Sequence, residues 1–115
     1  MKLFVNSFYA VKIQMFNEFY LLCQQTHADY KTVVDLMLKN GWISPHHVNV
    51  PGPDGQLSYG GMCFPKDTQA LLAVMKRMGT KHRVLEATII ERNELRKGDI
   101  CEMSELAEAR RTSPL

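Results

Sequence analysis

Apolar residues recur on two helical stripes at once near the start of the chain. Phe4, Phe8, Val11, Met15, Phe19 and Leu22 form one stripe, and Tyr9, Ile13, Phe16, Tyr20 and Cys23 form the other. Spacings of three and four residues predict a helix from Leu3 to about Gln24 with apolar surface on two sides. One side can pack on its own domain. The other requires a second copy of the chain or a neighbouring domain, unless the remaining helices wrap it as a central core helix. Lys2, Asn6, Asn17 and Gln24 fall within one narrow arc at 3.6 residues per turn. A polar strip on so apolar a helix requires a reason.

Three further helices follow from pattern and punctuation. Asp29 is an N-cap candidate for a helix through Val33, Val34, Leu36, Met37 and Leu38 to Lys39, which Asn40 and Gly41 end. The stretch from Trp42 to Tyr59 carries Pro45, Pro51, Gly52, Pro53, Asp54 and Gly55 and reads as one long loop. Loops of that length are functional or mobile. A helix from Asp67 to Met78 comes next, with Pro65 in its first turn, Lys76 and Arg77 at its negative end and Gly79 closing it. A fourth runs from about Lys81 to Arg96, with Leu85, Thr88, Ile89 and Arg92 on one face, widened by Val84, Ala87 and Glu91. Ser104 to Arg111 could form one more short helix before a frayed end at Thr112 to Leu115. The expected fold is therefore all-α, a compact helical domain spanning residues 1–115, built on one long apolar helix, with a long irregular loop before the cysteine-bearing segment.

Composition narrows the function. The 115 residues leave room for one domain with a modest core, and 45% hydrophobic content fits a globular protein. A formal net charge of +2 with scattered Lys and Arg argues against a nucleic-acid partner. The densest basic stretch, Arg92 to Lys97, is interleaved with Glu94 and reads as a solvated helix face. Cys23, Cys63 and Cys101 make an odd count with no Cys-x-x-Cys, and no signal segment or membrane-length apolar run is visible, so a reducing cytoplasm is expected. His27, His46, His47 and His82 form no zinc pattern with them, and His46-His47 reads as solvated. The seven glycines never form Gly-x-Gly-x-x-Gly between a strand and a helix, so the chain alone is not expected to bind NAD.

The chemistry concentrates at Gly60-Gly61-Met62-Cys63-Phe64-Pro65-Lys66-Asp67-Thr68. A glycine pair lets backbone approach a ligand closely. The positive end of the following helix, helped by Lys66, favours the thiolate of Cys63. A lone cysteine is more often a buried hydrophobe than a nucleophile, but this longer string, read with Lys2-x-x-x-Asn6 and Asn17-Glu18, closely resembles the nucleotide-sugar 6-dehydrogenases, the UDP-glucose/GDP-mannose dehydrogenase family. The resemblance runs from about Lys2 to Asn93 and covers the central domain of such enzymes, without the NAD-binding and UDP-binding Rossmann domains that flank it.

That resemblance implies a nucleotide-sugar substrate, NAD as cofactor of the family enzyme and two successive oxidations of an alcohol, with the intermediate aldehyde held by a cysteine as a thiohemiacetal and then a thioester. Cys63 matches that nucleophile. Lys2 and Asn6 match the lysine and amide that stabilise developing oxyanions, Asp67 the carboxylate of the proton relay and hydrolysis, and Tyr59, Gly60 and Gly61 the loop lining the sugar pocket. Asp67 could equally cap the following helix, and Lys2 could be only a terminal charge. Lys66 reads as a surface charge, Cys23 as core and Cys101 as incidentally exposed. Two departures stand out: Trp42 sits near the position of a family arginine that reaches the sugar across the dimer, and Pro51 to Ser58 is several residues longer than usual. A homodimer is expected, either as a piece of a longer protein or as a gene product that works with separate Rossmann partners. The alternative is a stand-alone helical interaction module, catalytically inactive. A thiol reaction with a histidine base is a further possibility, although no His has a spacing that singles it out.

Overall fold

A computed structural model describes residues 1–96. It is all-α, with four helices and no strand among the described residues: α1 (Lys2–Thr26), α2 (Tyr30–Leu38), α3 (Cys63–Met78) and α4 (Arg83–Leu95). Cys101 and the expected segments from Ser104 onward lie outside the described residues.

The two stripes of α1 differ in burial, although Val11 and Phe19 of the Phe4 stripe are half-buried. On one, Phe16 and Cys23 are buried and Tyr9, Ile13 and Tyr20 half-buried; on the other, Phe4 and Phe8 are each 66% exposed, with Met15 and Leu22 also open. The remaining helices therefore do not wrap α1, and the central-core alternative is corrected. α3 and α4 pack on one side of α1, while its C-terminal half meets α2. There Phe16, Val34 and Val48 form a buried cluster, with Phe19, Tyr30, Met37, Leu38 and Ile43 packed around it. Phe16–Phe19 and Tyr20–Tyr30 meet edge to face with centroids 5.5 and 5.4 Å apart, a favoured aromatic geometry.

Local signals set two of the helix ends. Asp29 caps α2, accepting from the Thr32 amide at 3.3 Å. Gly79 adopts φ 72° at the end of α3, and the Thr80 amide donates to the Met75 carbonyl at 3.0 Å, the left-handed closure that glycine allows. The start of α3 differs from expectation. Cys63 is itself the first helical residue and Pro65 the third, tolerated because the first four amides of a helix need no internal acceptor. Asp67 therefore opens the second turn and is no cap. Along α4, Leu85, Thr88, Ile89 and Arg92 are buried as spaced, but Val84 and Ala87 are exposed, because α1 and α3 cover only one stripe. Among the described residues, no helix is long and apolar enough to cross a membrane.

Candidate active site

The α1–α3 contact brings three sequence-predicted residues together. Asp67, only 3% exposed, accepts from Asn6 Nδ2 at 2.8 Å and lies 3.7 Å from Lys2 Nζ, whose side chain is mostly open to solvent. Lys2 and Asn6 share a face of α1 because they are four residues apart. The same spacing places Cys63 one turn before Asp67 on α3, roughly 6 Å along the axis. Cys63 is exposed. One face of the contact thus carries a thiol, an amide, an ammonium and a buried carboxylate. The rest of the polar strip divides: Asn17 is buried and holds the loop, whereas Gln24 is exposed and donates to the Tyr20 hydroxyl at 2.7 Å.

The loop that delivers Cys63 is held by side chains from two helices. From α1, Asn17 Oδ1 accepts from the Ser58 amide at 2.8 Å, and Gln14 Oε1 accepts from the Ser58 hydroxyl. Gln14 Nε2 in turn donates to Glu91 Oε1 at 2.6 Å. From α4, Arg92 Nε donates to the Tyr59 carbonyl at 2.9 Å and its guanidinium lies 5.3 Å from the Tyr59 ring centre. Arg96 Nε donates to the Leu57 carbonyl at 2.7 Å, and its two terminal nitrogens meet the Asp54 carboxylate at 3.0 and 2.8 Å. The solvated-face reading of this basic stretch is overturned: Arg92 is 1% and Arg96 4% exposed. The reason is that an irregular loop leaves carbonyls without ladder partners, and a guanidinium offers five donors to satisfy them.

Gly60 sits against this arrangement. A Cβ there would collide with the Arg96 guanidinium and lie 2.8 Å from Asp54 Oδ2, so the position admits only glycine without movement. Gly61 needs its glycine for a different reason, a φ of 80°. Ahead of the turn lies a cavity of about 420 Å³, lined among others by Ile13, His47, Tyr59, Gly60, Gly61 and Phe64. Tyr59 is 3% exposed, and burial pushes its phenol up, opposed by the nearby Thr68 hydroxyl and by the Arg92 and Arg96 charges. The Thr68 hydroxyl donates to the Phe64 and Pro65 carbonyls, and the Tyr59 oxygen has no hydrogen-bond partner among the described residues.

His46 and His47 are exposed as expected, although the His47 ring lies tilted against Tyr9 at 4.8 Å and edge-on to Phe64 at 5.7 Å. Burial, then the Lys12 and His46 charges, hold the His47 imidazole below its ordinary value. Among the described residues, no group of three His, Cys, Asp or Glu could hold a metal ion. Nor do they fit NAD, since they contain neither a strand nor the glycine-rich turn that a dinucleotide fold requires. Trp42 is 91% exposed. Gln14, Asp54, Arg92 and Arg96 were not singled out as site residues in the sequence. Gln14, three residues before Asn17 inside an apolar helix, and Arg92, in register with Leu85, Thr88 and Ile89, were the available signals.

Residues 1–94 match the UDP-glucose/GDP-mannose dehydrogenase family, central domain. The chain is 35% identical over 89 residues to the UDP-glucose 6-dehydrogenase TuaD of Bacillus subtilis (strain 168), covering 77% of this chain and 18% of that protein. It is 36% identical over 84 residues to a UDP-glucose 6-dehydrogenase of Rhizobium meliloti (strain 1021), covering 73% of this chain and 18% of that protein. A UDP-glucose 6-dehydrogenase of Rickettsia bellii (strain RML369-C) is 37% identical over 84 residues, with the same shares covered. The chain thus spans less than a fifth of the length of these relatives. No solved structure matches it.

Proposed function

The chain belongs to the UDP-glucose/GDP-mannose dehydrogenase family, and from that premise we propose that it acts as the central, sugar-binding and dimerising domain of a UDP-glucose 6-dehydrogenase, with Cys63 as the thiol that captures the sugar aldehyde. The observation that carries this reading is the buried Asp67 carboxylate, joined to Asn6 and Lys2 one helical turn from an exposed Cys63.

Each residue has a distinct task. The Cys63 sulfur adds to the aldehyde carbon, forming a C–S bond as the carbonyl electrons move to oxygen, which takes up the thiol proton to give a thiohemiacetal. Asn6 uses one N–H on Asp67 and retains a second, which can donate to the developing oxyanion. Lys2 adds a positive charge at the same place. Asp67, held by these two donors, orients a water for hydrolysis of the later thioester to the uronic acid. NAD supplies the hydride acceptor in enzymes that carry out this conversion, and the described residues contain no dinucleotide-binding fold of their own. The 420 Å³ cavity beside Tyr59, Gly60 and Gly61 is where the sugar would lie.

The open stripe of α1 supports the homodimer. Phe4, Phe8, Met15 and Leu22 line one side of the helix and remain exposed in the single chain. A second reading, a helical dimerisation module without catalysis, is favoured by Trp42 standing near the position of the family's sugar-contacting arginine.

The test is a chimera with residues 1–94 in place of the matching segment of TuaD. NADH formation from UDP-glucose, abolished by Cys63→Ala, is expected. A folded, dimeric chimera that forms no NADH favours the interaction module. Calorimetry on the chain alone should detect no NAD binding; micromolar affinity would overturn the domain assignment.

A further inference from the structure

We infer that Arg96 and Asp54 form a latch that holds the Gly60-Gly61 turn and thereby positions Cys63. The role assigned to Cys63 rests on the function proposed above; the latch itself rests on geometry.

Arg92 and Arg96 stand one turn apart at the end of α4 and grip successive loop carbonyls, at Tyr59 and at Leu57. Their surroundings differ. Arg92 is almost fully buried and bonds the backbone directly at the Tyr59 carbonyl. Arg96 is buried too, but its carboxylate partner has a side chain 41% exposed on a Pro/Gly-rich tip. Asp54 also fixes that tip from within, since its Oδ1 accepts from the Gln56 amide at 3.1 Å while Gly55 N and Gly52 N close the turn at 2.9 and 3.0 Å. A two-point carboxylate–guanidinium pair is directional as well as charged, so it fixes the plane in which Arg96 lies.

That plane rests on Gly60. The position has no room for a Cβ because the guanidinium and the Asp54 carboxylate already occupy the space. Gly61, by contrast, has nothing within 4 Å of where a Cβ would stand and a left-handed φ of 80°. The chain is therefore clamped at Gly60 and hinged at Gly61. Two residues later Cys63 begins α3. Released from the clamp, the turn can swing about Gly61, and the first turn of α3, which has no side-chain cap, loosens with it.

The experiment compares the chain with its Asp54→Ala, Asp54→Glu and Arg96→Lys forms by hydrogen exchange and by iodoacetamide labelling. In Asp54→Ala, exchange over residues 57–63 should rise about tenfold with α2 and the C-terminal half of α1 unchanged. Alkylation at Cys63 should rise about threefold while that at Cys23 stays the same. Asp54→Glu, which keeps the carboxylate, should restore both, and Arg96→Lys, which keeps the charge but loses the fork, should not. Unchanged exchange over residues 57–63, an increase spread evenly over all helices, or an unchanged Cys63 rate would each overturn the latch. An inactive chimera with the localised exchange pattern intact would reject the catalytic reading and leave the latch standing.

Discussion

Asn6 and Asp67 meet across the α1–α3 contact, the amide donating to the carboxylate at 2.8 Å where Asp67 is 3% exposed. Asn6→Leu removes that donor and leaves a buried carboxylate with only Lys2 at 3.7 Å. The expected loss is about 1–3 kcal/mol in urea unfolding, because an unpaired buried acceptor carries its full desolvation penalty. The double variant Asn6→Leu/Asp67→Leu should recover much of it. A double variant no more stable than the single would show that the pair is solvated.

Cys63 should be the faster of the two described thiols. It is exposed at the start of α3, whereas Cys23 is buried on α1. Iodoacetamide adducts mapped by mass spectrometry near neutral pH should appear at Cys63 at least about tenfold sooner. Comparable rates would mean that the loop covers the sulfur in solution.

What the sequence could and could not disclose follows the range of each interaction. Asp29 and Gly79 were legible because a cap or a left-handed closure involves residues three to five apart. The buried stripe Leu85, Thr88, Ile89 and Arg92 was legible as a periodicity. The start of α3 was not, since Met62 is no cap residue and proline fits more than one place in a first turn. Arg92 and Arg96 were misread as solvated because what buries them is a set of carbonyls 33 and 39 residues away. Lys2, Asn6 and Asp67 came from resemblance; their meeting across 61 residues is a tertiary fact that spacing cannot show.

Glu18 on α1 and Glu91 on α4 interact unfavourably when both are charged. The Glu18 carboxyl is held above its usual range, first by its hydrogen bond with Glu91, then by burial and by the Glu91 charge. A carboxyl raised on folding contributes stability below its unfolded value, about 4.3 for Glu, and loses that contribution as pH rises through the folded value. Glu18→Gln should therefore stabilise the chain at pH 7 and not at pH 4. Exposure keeps the gain to a few tenths of a kcal/mol, readable as a small rise in Tm. A lower Tm at pH 7 would show that Glu18 makes a favourable contact when charged.

The open stripe of α1 predicts its own disruption. Phe8, 66% exposed beside Phe4, should lie in the interface of a homodimer. Light scattering is expected to give a dimer at micromolar concentration for the chain and a monomer for Phe8→Asp, with helical circular dichroism unchanged. A monomeric parent chain would remove the dimer from the proposed function, and a dimeric Phe8→Asp would move the interface elsewhere.

Tyr59 separates a requirement of folding from one of binding. Its phenol is buried without a partner among the described residues, a cost to the folded state that Tyr59→Phe removes while keeping the ring against Arg92 and Phe64. Stability should rise by about 1 kcal/mol. Tyr59 lines the 420 Å³ cavity, but its oxygen is buried beside Thr68, which is fully buried and does not line it. In the TuaD chimera the same substitution should therefore leave KM for UDP-glucose and kcat little changed, since no ground-state contact is lost. A drop in stability would show instead that water already satisfies the phenol, and a severalfold rise in KM would show that the hydroxyl turns to the sugar when it binds.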